Sequence, residues 1–446
     1  MDRQQEHVLQ VVEHSDVRFI RLWFTDVTGT LKSVGIAPVE LENAFTKGIG
    51  FDGSAVEGLS RITEADMVMH PDAASFQILP WRESGELSAR MFCDISTPEG
   101  EPARTDPRNV LRRALAHADS LGFTFHVHPE IEFYLFRPVA DEYEVPTPID
   151  NGSYFDHVSR PIAQDFRSEA VKTLEQMGIS VEFSHHEDGP GQNEIDLRVT
   201  DALTMADQVM SCRAVIENVA IAQGVQASFM PKPLIDQPGN GMHTHMSLFE
   251  GDTNVFFDPA GEFGLSQIAR KFIAGVLRHA REISAITSQH VNSYKRLWAG
   301  DEAPAYVAWG KNNRSALVRV PAFSLKDEAC ARIEYRALDS AANPYLAYAV
   351  LLNAGLAGIE NDYPVPESID TNLAALTSME RKVMEIDSLP KSLNEAIRVT
   401  EQSELIAHTL GEETFEYFLR NKRHEWEEYR YQVTPYERRR FMTNRA

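Results

Sequence analysis

The sequence predicts an α+β fold in two parts, residues 1–105 and 106–446. Three observations carry this. A chain of 446 residues exceeds what one simple core holds and usually divides. The stretch before residue 105 alternates apolar and polar residues between turn signals, the pattern of short strands. Thr105-Asp106-Pro107 is a helix start, a capping residue followed by proline in the first turn, and beyond it strand and helix patterns mix.

In order, Val17 to Thr25 reads as a strand, Asp26 to Gly29 as a turn and Leu31 to Ile36 as the hairpin partner. Pro38 starts a short helix over 38–46, Gly48 to Ser54 is a glycine-rich loop, Pro71 and Pro80 punctuate irregular structure, and 87–95 is a further strand. The helix that opens at Asp106 runs to Leu121 and stops at Gly122. Strands are then predicted at 123–136, 181–186, 194–199, 225–229, 243–249 and 330–337. Helices are predicted at 161–177, 201–223, 266–286, 344–361, 393–407 and 411–432. The end of the chain, with Arg438-Arg439-Arg440, reads equally as a solvated tail or an oligomer contact.

Composition narrows the function. At 43% hydrophobic and 24% charged the chain is that of a globular protein. Its 43 Lys and Arg against 66 Asp and Glu give a net charge of −23, which disfavours nucleic acid and anionic membranes as partners. An anionic substrate must therefore be met by a local arginine cluster or by metal ions. Cys93, Cys212 and Cys330 are far apart, with no C-x-x-C pair, so no disulfide framework is implied and a reducing compartment is expected. Met1 to His7 lacks a signal-peptide pattern, and the most apolar stretch, Ala347 to Ile359, is too short to span a bilayer. A cytoplasmic protein is expected.

Four motifs carry chemistry. In Pro129-Glu130-Ile131-Glu132-Phe133, strand alternation puts both glutamates on one face, where a divalent metal would relieve their repulsion; a solvent-facing polar edge would show the same pattern. In His185-His186-Glu187-Asp188-Gly189-Pro190-Gly191-Gln192-Asn193-Glu194, a tight loop can fold Glu187 and Glu194 toward one point. In Gly239-Asn240-Gly241-Met242-His243-Thr244-His245, two histidines share a strand face after glycines that allow close backbone approach. In Arg332-Ile333-Glu334-Tyr335-Arg336, a carboxylate lies between two arginines, as mere ion pairing or as a metal ligand between phosphate binders. Mostly oxygen ligands point to magnesium or manganese rather than zinc, and such a cluster suits a two-metal phosphate-transfer site.

Arg296, Arg314 and Arg319, with Arg332 and Arg336, form a basic set in an acidic protein, as phosphoryl transfer requires. No G-x-x-x-x-G-K-[ST] loop occurs, so nucleotide phosphates would be held by metals and arginines.

Phe51-Asp52-Gly53-Ser54, the four motifs above, Asn292-Ser293-Tyr294-Lys295-Arg296, Asn313-Arg314-Ser315 and Ala342-Asn343-Pro344-Tyr345 together resemble the signature segments of bacterial type I glutamine synthetases, in family order and over nearly the whole chain. The resemblance implies a small β-grasp N-terminal domain and a larger catalytic domain of curved antiparallel sheet with helices. It implies a dodecamer of two stacked hexameric rings, each active site completed by a neighbour's N-terminal domain. It implies ATP-dependent ligation of glutamate and ammonium to glutamine through γ-glutamyl phosphate, with two or more Mg2+ or Mn2+ ions per site. Glu132, Glu187 and Glu194 resemble the ligands of one metal, and Glu130, His243 and Glu334 those of the second. Arg296, Arg314 and Arg336 resemble the substrate and phosphoryl binders, and Gly239 a backbone contact to glutamate. Arg319 and Arg332 resemble nucleotide phosphate contacts, with Glu182, His245 and Ser247 also at the nucleotide. Asp52 resembles the residue that takes a proton from ammonium, and Glu302 the loop glutamate that closes the site.

The chain also departs from that pattern. Pro238 stands where the family has asparagine, and Ala55 where it has a second serine. No tyrosine lies near Asp387 to Pro390, where the adenylylated subclass carries its modified one, so a subclass without that control is implied. Arg61 resembles the arginine through which another subclass senses glutamine; a plain surface arginine reads as well. A relative that joins glutamate to a polyamine or another amine is the alternative; Asp52 and Glu302, anionic groups suited to a small cation, favour ammonium.

Overall fold

The computed structural model describes residues 1–56, 66–81, 85–139, 145–157, 161–298, 303–311 and 313–442. The first sheet holds β1 (Val17–Thr25), β2 (Leu31–Ile36), β3 (Ile49–Asp52), β4 (Asp66–Pro71), β5 (Gln77–Ile78) and β6 (Leu87–Ser96), in the order β2-β1-β6-β4-β3 with β5 also beside β6. The central pair β1 and β6 is parallel. Alternation along these two strands serves two cores. Ile20, Leu22 and Phe24 of β1, with Ala89, Met91, Cys93 and Ile95 of β6, join Val8 and Val12 of the Arg3–His14 helix in a small core. Trp23 and Phe92 face the other way, into the main core of the chain.

The second sheet holds β7 (Thr124–Phe136), β8 (Val181–His186), β9 (Gln192–Leu197), β10 (Thr200–Asp201), β11 (Gln226–Ser228), β12 (Thr244–Glu250), β13 (Thr253–Asn254), β14 (Tyr306–Gly310), β15 (Ala316–Arg319) and β16 (Ile333–Tyr335). Its path is β14-β15-β16-β12-β7-β9-β8, antiparallel except for β14 and β15. The Pro344–Glu360 helix backs the main core and is buried on every face from Pro344 to Gly358. Its cap, Asn343, accepts from the backbone N–H of Tyr345 and Leu346 and donates to the carbonyls of Asp26 and Val27 in the β1–β2 turn. One side chain thus starts the most buried helix and ties the first sheet to it. Among the described residues no helix is long and apolar enough to cross a membrane.

The α+β class is as expected, and Asp106 does cap its helix, Pro107–Ser120. Several elements differ from the sequence reading. The 48–54 loop is partly strand β3, and the stretch punctuated by Pro71 and Pro80 carries β4 and β5, which take their form from pairing with neighbouring strands. The helix expected at 266–286 breaks into Gln267–Arg278 and Ala280–Thr287 at His279, whose backbone leaves the helical region and whose ring meets Glu282. The helix expected at 393–407 breaks into Leu393–Thr400 and Glu404–Leu410 because Ser403 starts a new turn, accepting from the Ile406 N–H. Arg3–His14, β14, β15 and Pro435–Phe441 are additional.

Candidate active site

Cross-strand register assembles the site. On β16, β12 and β7, Arg319 of β15 faces Glu334, Glu334 faces His245, and His245 faces His128. Further along β7, Glu130 faces Asp196 and Glu132 faces Glu194, and Glu194 in turn faces His185 of β8. Because side chains alternate, these rows present their carboxylates on one face of the sheet. The tight loop after β8 then swings Glu187 over that face, its N–H donating to Gln192 O. Gly189 permits the turn: a Cβ there would lie 2.1 Å from Tyr134 Oη.

Two sets of ligand atoms, each within 4.8 Å of one another, result: Glu130, His243 and Glu334; and His185, Glu187 and Glu194. The first matches the expected trio. In the second, His185 stands with Glu187 and Glu194, while Glu132 adjoins them, accepting from Gly241 N at 2.8 Å and Gln192 Nε2 at 3.1 Å. Burial, then Glu194 and Glu187, push the Glu132 carboxyl well up. Burial and Glu194 push Glu187 up to about 7. This repulsion is what a divalent cation relieves, so the donor set fits hard cations.

The other set already has basic partners, two histidines at Glu130 and two arginines at Glu334. Glu130 Oε1 lies 2.7 Å from His245 Nε2 and Oε2 3.1 Å from His243 Nδ1. Burial would raise Glu130, but the two histidines hold it well below the usual carboxylate range. Glu334, fully buried, accepts from Arg319 Nε and Arg336 Nη1, each at 2.5 Å. Burial and Arg336 lower His243, which leaves its imidazole neutral and able to ligate.

A cleft of about 570 Å³ opens over these groups. Of the expected residues, Glu130, Glu132, Glu187, Glu194, Gly239 and His243 line it, as do Arg296, Arg314, Arg319 and Arg336. Among the described residues, the buried Nε of Arg336 has no hydrogen-bond partner. Arg296 is spent on structure: its guanidinium donates to the carbonyls of Arg336, Ala337 and Leu338 and packs over Gly241. The close approach at Gly241 therefore serves Arg296 and Glu132. Glu182, His245, Ser247, Arg332 and the fully buried Glu334 lie outside the cleft lining; Glu182 is 3.5 Å from His128, and Arg332 donates to Cys330 O. Asp52, at the end of β3 on the edge of the first sheet, does not line this cleft either. Glu302 and Arg61 lie outside the described residues.

The sequence reading missed Tyr154, Phe155 and Phe183 at the cleft wall, where Tyr154 stacks on Phe155 at 4.1 Å and Phe155 meets His185 edge-on at 4.7 Å. It also missed Asp196, fully buried and pushed up to about 11 by burial and by Glu194 beside it. The aromatics gave no periodic signal. Asp196 was visible as the second acid of Glu194-Ile195-Asp196 on one strand face.

A two-sheet α+β fold with carboxylate sets and arginines around one cleft defines a class of metal-dependent enzymes acting on anionic substrates. Comparison with known proteins makes this particular. Residues 104–441 match the glutamine synthetase catalytic domain and residues 16–98 the glutamine synthetase beta-Grasp domain. The glutamine synthetase of Mycolicibacterium smegmatis is 57% identical over 445 residues, covering 99% of this chain and all of that protein. That of Thermotoga maritima is 43% identical over 438 residues, covering 98% and 99%. The solved ADP complex of GmaS, in its conformation 1, superposes with a TM-score of 0.86 at 31% identity, covering 97% of this chain and 99% of that one. The chain belongs to the glutamine synthetase family.

Proposed function

We propose that the protein makes glutamine from glutamate and ammonium with ATP, through γ-glutamyl phosphate. The observation that carries this reading is the cleft in which both carboxylate sets face Arg314, Arg319 and Arg336. Glu130, His243 and Glu334 would hold one divalent cation, and Glu187 and Glu194, with Glu132 or His185, another; Mg2+ or Mn2+ suits the oxygen-rich sets. Bound there, the cations supply charge neutralisation for carboxylate and phosphate oxygens.

Arg336 and Arg314 orient glutamate's carboxylates, and Arg296 and the Gly239 backbone shape the wall behind them. Arg319 and Arg332 meet the nucleotide phosphates, with Glu182, His245 and Ser247 on the nucleotide side. A γ-carboxylate oxygen attacks the terminal phosphorus, the bond to the bridging oxygen breaks, and ADP leaves. Ammonium binds among the carboxylates and gives one proton to Asp52; ammonia attacks the acyl carbon, the bond to the phosphate oxygen breaks, and the departing phosphate takes the second proton from nitrogen. Glu302 closes the site so that water does not hydrolyse the acyl phosphate. Asp52 reaches the cleft from a neighbouring copy, in a dodecamer of two hexameric rings, with residues 1–105 and 106–446 as the two domains. The enzyme would work in the cytoplasm.

Phosphate release from ATP by the purified protein with Mg2+ and glutamate tests this. The expected result is release that depends on ammonium, with glutamine formed. Release that responds only to a larger amine would overturn ammonium as the acceptor.

A further inference from the structure

A second cleft, of about 400 Å³, lies between the first sheet and the helices of the second part, and shares no lining residue with the catalytic cleft. Ser75, Gln77 and Arg90 line its first-sheet side; Arg108 and Arg112 of the Pro107–Ser120 helix and Asp207 of the Ala202–Gln223 helix line the other.

The arginines differ in how they are matched. Arg108 is paired three times, to Asp94 at 2.5 Å, Asp72 at 2.7 Å and Asp207 at 2.9 Å. Arg112 pairs with Asp94 at 3.0 Å. The nearby acids are therefore engaged. Arg90 is only 3% exposed, yet among the described residues it has no ion pair. Its Nη atoms donate to Ser75 O and Ser211 Oγ, its guanidinium lies 4.9 Å from the Phe92 ring centre, and among the described residues its Nε has no hydrogen-bond partner. Burial brings Arg90 down to about 10, so it stays charged at neutral pH. The Asp207 carboxylate offsets part of the Arg90 charge without pairing with it directly; a buried cation so incompletely matched is costly, and an anion in the adjoining cleft would lower that cost.

The cleft is far larger than an inorganic oxyanion needs and falls in the size range of small-molecule sites. Arg112, 39% exposed, offers a second guanidinium and Gln77 an amide. We propose that this cleft is a binding site for a small organic carboxylate, anchored on Arg90 and bridging the first sheet to the two helices. Its ligand would tighten the junction of the two parts without entering the catalytic cleft.

The probe is succinate, added at millimolar concentration to the full-length wild-type protein while amide hydrogen exchange is followed. Slowed exchange across Gln77–Ile78 and Leu87–Ser96 is expected. Protection confined to β7 and β12 would place succinate in the catalytic cleft and overturn the proposal, as would no protection anywhere. Equal protection by inorganic phosphate would overturn the assignment to an organic carboxylate. By calorimetry, Arg90→Gln should weaken succinate about tenfold or more, since a charged hydrogen-bond donor is removed, while Arg336→Gln retains it. Unchanged affinity in a folded Arg90→Gln protein would sink the idea. Should that variant not fold, the exchange map of the wild-type protein decides alone.

Discussion

The Glu187 carboxyl shows how single residues set the behaviour of the metal sites. Burial and Glu194 lift it from 4.5 to about 7. An acid raised by folding holds its proton more tightly in the folded state, so in the metal-free protein this group's penalty on stability grows as pH rises from about 4.5 and is complete above about 7. A cation must displace that proton below 7 but not above it. Mn2+ affinity should therefore climb with pH up to about 7, by about tenfold per pH unit for one displaced proton. Glu132, pushed well up by the same neighbours, would carry the climb beyond 7 where it joins the ligand set. Titration of the protein with Mn2+ across that range checks this, and an affinity independent of pH below 7 would contradict it. At this scale much was legible. Alternation along 129–136 placed Glu130 and Glu132 together, and the tight loop predicted that Glu187 and Glu194 converge. What could not be read was which partner each carboxylate meets, since His245 against Glu334 and Asp196 against Glu130 are facts of register between distant strands.

Helices and strands were legible where their own residues dictate them and not where a neighbour does. Asp106 and Pro107 fix a helix start by local hydrogen bonding, and the β1–β2 hairpin by its turn. β3, β14 and β15 are too short to show a clear period and exist through long-range pairing. The contact between the Gln267–Arg278 and Pro344–Glu360 helices is likewise invisible as a pattern yet strict in its demands. A Cβ on Gly358 would lie 2.1 Å from Lys271 O and 2.6 Å from Gly275 N. Gly358→Ala should therefore destabilise by about 1–3 kcal/mol through overpacking, despite alanine's better helix propensity. A Cβ on Gly35 meets only Arg21 Nη1, at 3.8 Å, so Gly35→Ala should leave stability nearly unchanged. Thermal unfolding of the two variants beside wild type is the measurement. Equal midpoints would mean the helices can separate without cost.

The whole molecule poses a question that one chain does not answer: Asp52 sits at the edge strand of the first sheet, outside the cleft lined by the carboxylates and arginines. If the proton acceptor comes from a neighbouring copy, each active site draws Asp52 from one chain and Glu334 from another. Two inactive variants then become a test of assembly. Asp52→Ala keeps a complete carboxylate cleft, and Glu334→Gln keeps a complete first sheet. Co-expressed in equal amounts and mixed at random in one oligomer, they should rebuild about a quarter of the wild-type sites, where an Asp52→Ala cleft meets a Glu334→Gln neighbour. Each variant alone should stay inactive, because every site would then lack one group or the other. Were Asp52 to act within its own chain, no mixing ratio would restore activity, since every chain carries one lesion. Glutamine formed by the co-expressed oligomer, against none from either variant alone, therefore separates a shared site from a self-contained one. It does so by counting functional sites, independently of how fast any one of them turns over.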